Sequence, residues 1–210
     1  MTSGIPMKNL FIFDFDGVIA DSLVFYEALV KTHLEKIGSP VITTREEFLD
    51  LFDGNFYESL STQGVDITAF NNAVMAAAPD IDYGQILPFE GILPVVTTLA
   101  KDNTLLVISS NISSVIRTFL SRYEFDGIFD DVLGADFMLS KTEKINHVVE
   151  KCHALRDRTY YVGDTVGDIR EGQAAGIRTV AVTWGWHPRE RFEGVGADHI
   201  IGAPEDLLAI

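Results

Sequence analysis

The stretch Leu10-Phe11-Ile12-Phe13, followed at once by Asp14-Phe15-Asp16-Gly17, constrains this chain more than any other. Four consecutive apolar residues, two of them aromatic, predict a strand buried on both faces, as in a parallel sheet. The run then breaks into two carboxylates with one residue between them. In extended geometry residues two apart point to the same side, so Asp14 and Asp16 are expected to face one ligand together. Gly17 lets the chain turn away without a side chain in the cleft. A buried strand that ends in charge matches the place where open α/β sheets carry their chemistry, beyond the carboxyl ends of the strands.

The texture changes after this stretch. From Leu23 to about Pro88 apolar residues recur at helical spacing. A helix is predicted from Leu23 through Ile37, closed by Gly38, and Thr44-Arg45-Glu46-Glu47 reads as a capping box opening a second. Further helices are expected over Phe56–Leu60 and Ile67–Ala78, the last ended by Pro79. About 65 residues of helix inserted after the first strand read as a separate helical cap with its ends near Ala20 and Pro88. From Leu87 onward helices alternate with apolar runs: strands at Thr104–Ile108, Phe129–Leu133, Thr159–Val162, Arg178–Val182 and near His199–Ile201, with helices at Ile92–Lys101, Ser113–Arg122, Thr142–Cys152 and Ile169–Ala175. Ser140-Lys141-Thr142-Glu143 is a second capping box. That alternation implies a parallel sheet with right-handed crossovers.

Composition narrows the partners. Thirty-one acidic against sixteen basic residues leave a formal charge of −15, which makes nucleic acid and anionic membrane poor candidates. No apolar run approaches the roughly 20 residues of a membrane span, and Met1–Asn9 reads as a loose tail rather than a secretory signal. Cys152 is the single cysteine, so a disulfide framework is excluded and a reducing cytoplasm is the expected location. Its helical setting predicts an ordinary packing residue.

Polar residues cluster where the predicted strands end. Ser109-Ser110-Asn111 follows Thr104–Ile108, and Gly163-Asp164-Thr165-Val166-Gly167-Asp168 follows Thr159–Val162. In a parallel sheet these ends open on one edge, so Asp14, Asp16, Ser109 and Asp164 are expected to converge, with Lys141 reaching the same cleft from the start of its helix. Several carboxylates in one cleft repel unless a cation sits among them, and hard oxygen ligands suit Mg²⁺. A hydroxyl and an ammonium opposite the metal suit a phosphate.

With these pieces in order, the chain resembles the haloacid dehalogenase-superfamily phosphatases with a small helical cap, near phosphoglycolate phosphatases and β-phosphoglucomutases. The resemblance covers the chain from Leu10 onward. It rests on Phe13-Asp14-Phe15-Asp16-Gly17-Val18, Ser109, Lys141 and Val162-Gly163-Asp164-Thr165-Val166-Gly167-Asp168-Ile169, with Ala181–Trp186 and the ending Ala197–Leu208 in support. It implies an α/β fold: a Rossmann-like parallel sheet flanked by helices (residues 1–19 and 87–210) with an inserted helical cap (20–86). It also implies a Mg²⁺-dependent phosphatase acting on a small phosphorylated metabolite through an aspartyl-phosphate. Asp14 would be the nucleophile and Asp16 the acid and base. Ser109 and Lys141 would hold the transferring oxygens. The metal would lie among Asp14, the backbone carbonyl of Asp16 and Asp164, with Asp168 bound directly or through water.

Alternatives stand beside several of these roles. Ser110 competes with Ser109, and Lys144 with Lys141, since the proline that usually follows this lysine in the family is missing. Asp168 is also placed to N-cap the helix Ile169–Ala175. His33, Trp184 and Trp186 are expected to pack, and Arg45 to be a solvated charge. A phosphosugar mutase on the same scaffold would return an isomerised sugar phosphate instead of free phosphate. A receiver-type phospho-acceptor domain would give a long-lived phosphoprotein without turnover, but its acceptor aspartate would follow a later strand than its acidic pair. Nothing in the helical segment names a substrate, and oligomeric state is not legible.

Overall fold

A computed structural model describes residues 8–80 and 83–210. Of the expected tail Met1–Asn9, all but Lys8 and Asn9 lie outside the described residues. The first strand, β1 (Leu10–Phe13), is followed by a two-residue strand β2 (Ala20–Asp21) and four helices, α1 (Leu23–Lys36), α2 (Arg45–Asp50), α3 (Phe56–Thr62) and α4 (Ile67–Ala77). The chain returns through β3 (Leu87–Pro88) and continues α5 (Ile92–Leu99), β4 (Thr104–Ile108), α6 (Ser113–Arg122), β5 (Asp131–Leu133), α7 (Lys141–Lys151), β6 (Thr159–Gly163), α8 (Val166–Ala174), β7 (Arg178–Val182) and β8 (His199–Ile201).

Six strands form one sheet in the order β5-β4-β1-β6-β7-β8, with every pair parallel. Alternation along the strands divides their side chains between two cores. Phe11, Phe13, Leu105 and Val107 meet α5 and α6 through Val95, Val96, Ile116 and Phe119. Leu10, Ile12, Leu106 and Ile108 meet α7 through Ile145, Val148 and Val149 on the other face. Both faces are covered, which is why β1 reads as an unbroken apolar run. The chain builds outward from β1 through β4 to β5, then crosses back to β6. The carboxyl ends of β1, β4 and β6 thus lie at the point where strand order reverses.

Helices α1–α4 have a core of their own, with Leu34, Phe48, Leu51, Phe56 and Leu60 buried together. The linkers into and out of this helical segment pair as an antiparallel ribbon, Ala20 with Pro88 and Asp21 with Leu87, a feature the sequence pattern did not predict. Trp186, from the loop after β7, inserts into the helical core against Phe52, 4.8 Å between ring centroids. His187 ties the two parts: its Nδ1 accepts from the Val166 amide at 3.1 Å, and its Nε2 donates to the Leu49 carbonyl at 3.0 Å. Arg191 adds ion pairs to Glu46, Asp50 and Asp53.

Several local expectations need correction. Cys152 is exposed at the end of α7 rather than packed. Helix α8 starts at Val166, not Ile169, because Thr165 caps it; Asp168 sits at the third helical position and completes a capping box with Thr165. Ser140 does cap α7 by accepting from the Glu143 amide, but the reciprocal bond that would close a capping box is not made. The box at Thr44 and Glu47 is complete. Pro79 stands in a short 3₁₀ turn, Ala78–Asp80, that continues α4. His33 and Trp186 are buried, and Arg45 is not simply solvated, since it pairs with Glu27 at 2.8 Å.

Gly167 marks the seam between the helical segment and the sheet. A Cβ there would lie 2.3 Å from the Gly54 carbonyl oxygen and 2.7 Å from that of Phe52. Backbone against backbone cannot yield as a side chain does, so Gly167→Ala should cost about 1–3 kcal/mol. The measurement is the urea midpoint; an unchanged midpoint would mean that this seam is not closed in solution.

Candidate active site

Three strand ends and one helix start build the site. The β1 ladder runs one residue past the strand, with the Asp14 amide donating to the Val162 carbonyl at 2.8 Å, so Asp14 leaves the sheet between β4 and β6. Asp164 follows β6 directly, and Lys141 is the first residue of α7. The Lys141 ammonium donates to Asp14 Oδ2 at 2.6 Å and to Asp168 Oδ1 at 2.5 Å. Carboxylate oxygens of Asp14, Asp164 and Asp168 all lie within 4.8 Å of one another, and all three residues are buried.

Asp16 stands apart from that cluster. Its Oδ1 accepts from the Ser22 hydroxyl at 2.7 Å and its Oδ2 from the Asn111 amide at 3.0 Å. The extended geometry that would have aligned it with Asp14 ends at Phe13. Gly17, at φ +81°, turns the chain, and a Cβ there would lie 1.9 Å from Asp164 Oδ2. Asp14 and Asp16 still border one small cavity of about 10 Å³, together with Ser109, Ser110, Lys141, Asp164 and Thr165. That is room for a water-sized species.

The contacts distinguish the paired alternatives. Lys141 reaches the carboxylates, whereas the Lys144 ammonium donates to the Ser109 carbonyl at 2.5 Å. Ser109 and Ser110 both border the cavity. Ser109 Oγ accepts from the Asn111 amide at 3.1 Å, and the Ser110 carbonyl accepts from the Tyr57 hydroxyl at 3.0 Å. Asp168 is committed at both oxygens: Oδ1 to Lys141, and Oδ2 to the amide and hydroxyl of Thr165 at 3.0 and 2.7 Å. Asp164 is different. Its Oδ2 accepts from the Trp186 amide at 2.7 Å, and its Oδ1 is buried with no hydrogen-bond partner among the described residues.

Burial pushes the Asp14 carboxyl up to about 7, with Asp168 adding to the shift and Lys141 opposing it. Burial also raises Asp164 well above the ordinary range, and repulsion from Asp168 and Asp14 adds to it. Burial raises Asp16 as well, against the hydrogen bonds from Ser22 and Asn111. For Lys141 burial works to lower the pKa, but Asp14 and Asp168 outweigh it and hold the ammonium well above its usual range. An all-oxygen cluster with one orphaned carboxylate oxygen and unfavourably buried charge is a good fit for a hard divalent cation.

Ser22, Asn111, Thr165 and the Trp186 amide were not assigned roles from the sequence. Ser22 and Asn111 do stand in the two stretches that carried the strongest signals. The Trp186 amide acts through its backbone, which no residue type announces.

Acidic groups and one ammonium at the switch point of a parallel sheet define an α/β enzyme site suited to an anionic substrate. The family model for haloacid dehalogenase-like hydrolases matches residues 11–182, and the chain belongs to that family. It is 27% identical over 202 residues to a phosphoglycolate phosphatase of Synechococcus elongatus, covering 94% of each chain. It is also 27% identical over 185 residues to the tyrosine-protein kinase PtkA of Mycobacterium tuberculosis, spanning 63% of that protein. Among solved structures, a haloacid dehalogenase-like protein from Bacteroides fragilis superposes with a TM-score of 0.82 at 23% identity over 96% of this chain and 100% of that one. The haloacid dehalogenase-like family protein SP0104 from Streptococcus pneumoniae gives 0.78 at 18% identity, over 96% and 97%. At those identities the two structures share the fold with this chain.

The raised Asp14 pKa has a consequence for stability. An unfolded aspartate titrates near 3.8 and the folded one near 7, so the native state holds the proton more tightly between those values. The stabilisation is complete below about 4 and is lost as pH rises through about 7, at up to about 1.4 kcal/mol per pH unit for one carboxyl. Urea unfolding of the cation-free protein should show this loss, and Asp14→Asn should flatten it; an identical slope in the variant would contradict the assignment.

Proposed function

We propose that this chain, a phosphatase of the haloacid dehalogenase-like family, takes the phosphoryl group of a small phosphorylated metabolite onto Asp14 with Mg²⁺ bound beside it. The carrying observation is the buried cluster of Asp14, Asp164 and Asp168 around the Lys141 ammonium, with Asp164 Oδ1 left unpartnered. Asp14, Asp164 and the backbone carbonyl of Asp16 would hold the metal, and Asp168, engaged at both oxygens, would support it through water. When bound, Mg²⁺ supplies positive charge that screens an anionic substrate from the carboxylates.

The side chains divide the work. A carboxylate oxygen of Asp14 attacks phosphorus, and the bond from phosphorus to the ester oxygen breaks. Asp16, which burial keeps protonated to a higher pH than an exposed aspartate, gives its proton to the departing oxygen. The same carboxylate then takes a proton from water as that water attacks the acyl-phosphate. Free phosphate leaves and Asp14 is regenerated. Ser109 and Lys141 offset charge on the transferring oxygens, and the Lys141 ammonium keeps its proton throughout. The helical segment 20–86 serves as a cap that excludes bulk water from the acyl-phosphate.

Phosphate release from a panel of phosphorylated metabolites with Mg²⁺ tests this reading. Asp14→Asn should abolish turnover, and Asp16→Asn should lower kcat by roughly 10²–10⁴. Activity that survives in Asp14→Asn, or that persists in chelator, would contradict the mechanism. Mg²⁺ at about a hundredfold over its Kd should stabilise the fold by about 2.7 kcal/mol. That gain should shrink as pH falls below about 7, where Asp14 retains its proton, and should be absent in Asp164→Asn.

A further inference from the structure

The space among the carboxylates is smaller than the space beside it. A chamber of about 250 Å³ lies between α1 and α4 of the helical segment and the loops that follow β4 and β5. Tyr26 and Ser110 border both spaces. Asn111 borders the chamber and donates to Asp16 Oδ2 at 3.0 Å. The chamber is therefore on the side of the carboxyl that protonates the departing oxygen, where the organic part of the ester must sit.

Its walls are largely apolar, with Leu29, Val30, Phe70 and Val74 among them, and among the described residues no lysine or arginine borders it. Among the described residues the acidic group there is Asp136, which is occupied by the Ser113 amide and hydroxyl, each at 2.8 Å. A second anionic group on a substrate would give up its hydration in this chamber and find no cation to pair with. His33 adds one specific polar feature. It is 1% exposed, and its Nδ1 lies 2.6 Å from the Leu29 carbonyl, so that nitrogen carries the proton. In the neutral ring Nε2 is then an acceptor, and it is buried without a partner.

Building on the phosphatase reading, we infer that the substrate is the phosphate monoester of an uncharged, largely apolar alcohol bearing a hydroxyl or N–H group that donates to His33. An engineered apolar cavity of about 150 Å³ takes benzene, so this chamber has room for a substituted single ring. Phosphoglycolate, named for the cyanobacterial relative, carries a carboxylate and is disfavoured here.

The test pairs turnover with binding. With Mg²⁺, benzyl phosphate should exceed phosphoglycolate in kcat/KM by about tenfold or more, the equivalent of about 1.4 kcal/mol. Val74→Arg, which brings a cation to the wall, should narrow that ratio. Among the hydroxybenzyl phosphates the best isomer should exceed benzyl phosphate several-fold, and His33→Phe should remove that advantage. Calorimetry on Asp14→Asn protein should give the same order of affinities without turnover. If phosphate is released but phosphoglycolate is the equal or better substrate, the phosphatase reading stands and the apolar-ester inference falls. If no ester is turned over yet benzyl phosphate binds more tightly than phosphoglycolate, the ligand class stands and the phosphatase reading falls. Failure of benzyl phosphate both to react and to bind overturns the inference.

Discussion

The Lys141 ammonium, held between Asp14 and Asp168 at 2.6 and 2.5 Å with almost no access to water, is the interaction around which the rest is arranged. Burying such a triad is costly, and removal of Lys141 would leave two buried carboxyl groups without their cation. It holds here because each member is anchored by regular structure: Asp14 by the continued ladder of β1, Lys141 by the first turn of α7, and Asp168 by the capping box of α8. Asp164 makes the cluster more negative still. Its Oδ2 is satisfied by the Trp186 amide, and the chain passes closely enough that only glycine fits at positions 17 and 185. The fold thus brings more acidic groups to one point than its own ammonium can offset once they ionise, an arrangement that could hold a metal ion.

The helical segment completes the site in a different way. Among the described residues it brings no lysine or arginine to the spaces beside the carboxylates; Tyr26 and Phe52 border the small cavity and α1 and α4 wall the larger chamber. Closure is built into the seam. Trp186 belongs to the core loop yet packs in the helical core, while the adjacent residue His187 bonds the Leu49 carbonyl. The carboxylates and the chamber are linked at Asn111, which donates to Asp16 and borders the chamber.

Much of this was legible in the sequence because strong patterns coincided. An apolar run followed immediately by acid at Asp14, and again at Asp164, marks both a strand and the edge on which it ends. Alternation of helix and strand after Leu87 then brings those edges together. What escaped reading had no distinctive residue type. The β2–β3 ribbon is two residues long on each side, too short for any periodicity. The Asp168 cap was misplaced because the apolar pattern of α8 begins after its first turn, while Thr165 sets the true start. Asp16 was expected to face one ligand with Asp14, and both do border the small cavity, but the turn at Gly17 also engages its carboxyl with Ser22 and Asn111, which extended geometry did not announce. The exposed Cys152 shows the same limit, since a residue near a helix end can face solvent whatever its average habit.

The central claim is that the carboxylate of Asp14, held by Lys141 and crowded by Asp164 and Asp168, is the atom group that receives phosphorus. Borohydride reduction of the enzyme quenched during turnover, followed by peptide mass spectrometry, reads that claim most directly, because an acyl-phosphate is reduced at the residue that carries it. The account predicts reduction confined to position 14 in a substrate-dependent manner. Reduction at another acidic residue, or turnover of substrate with position 14 left unmodified under conditions that trap an acyl-phosphate, would contradict it.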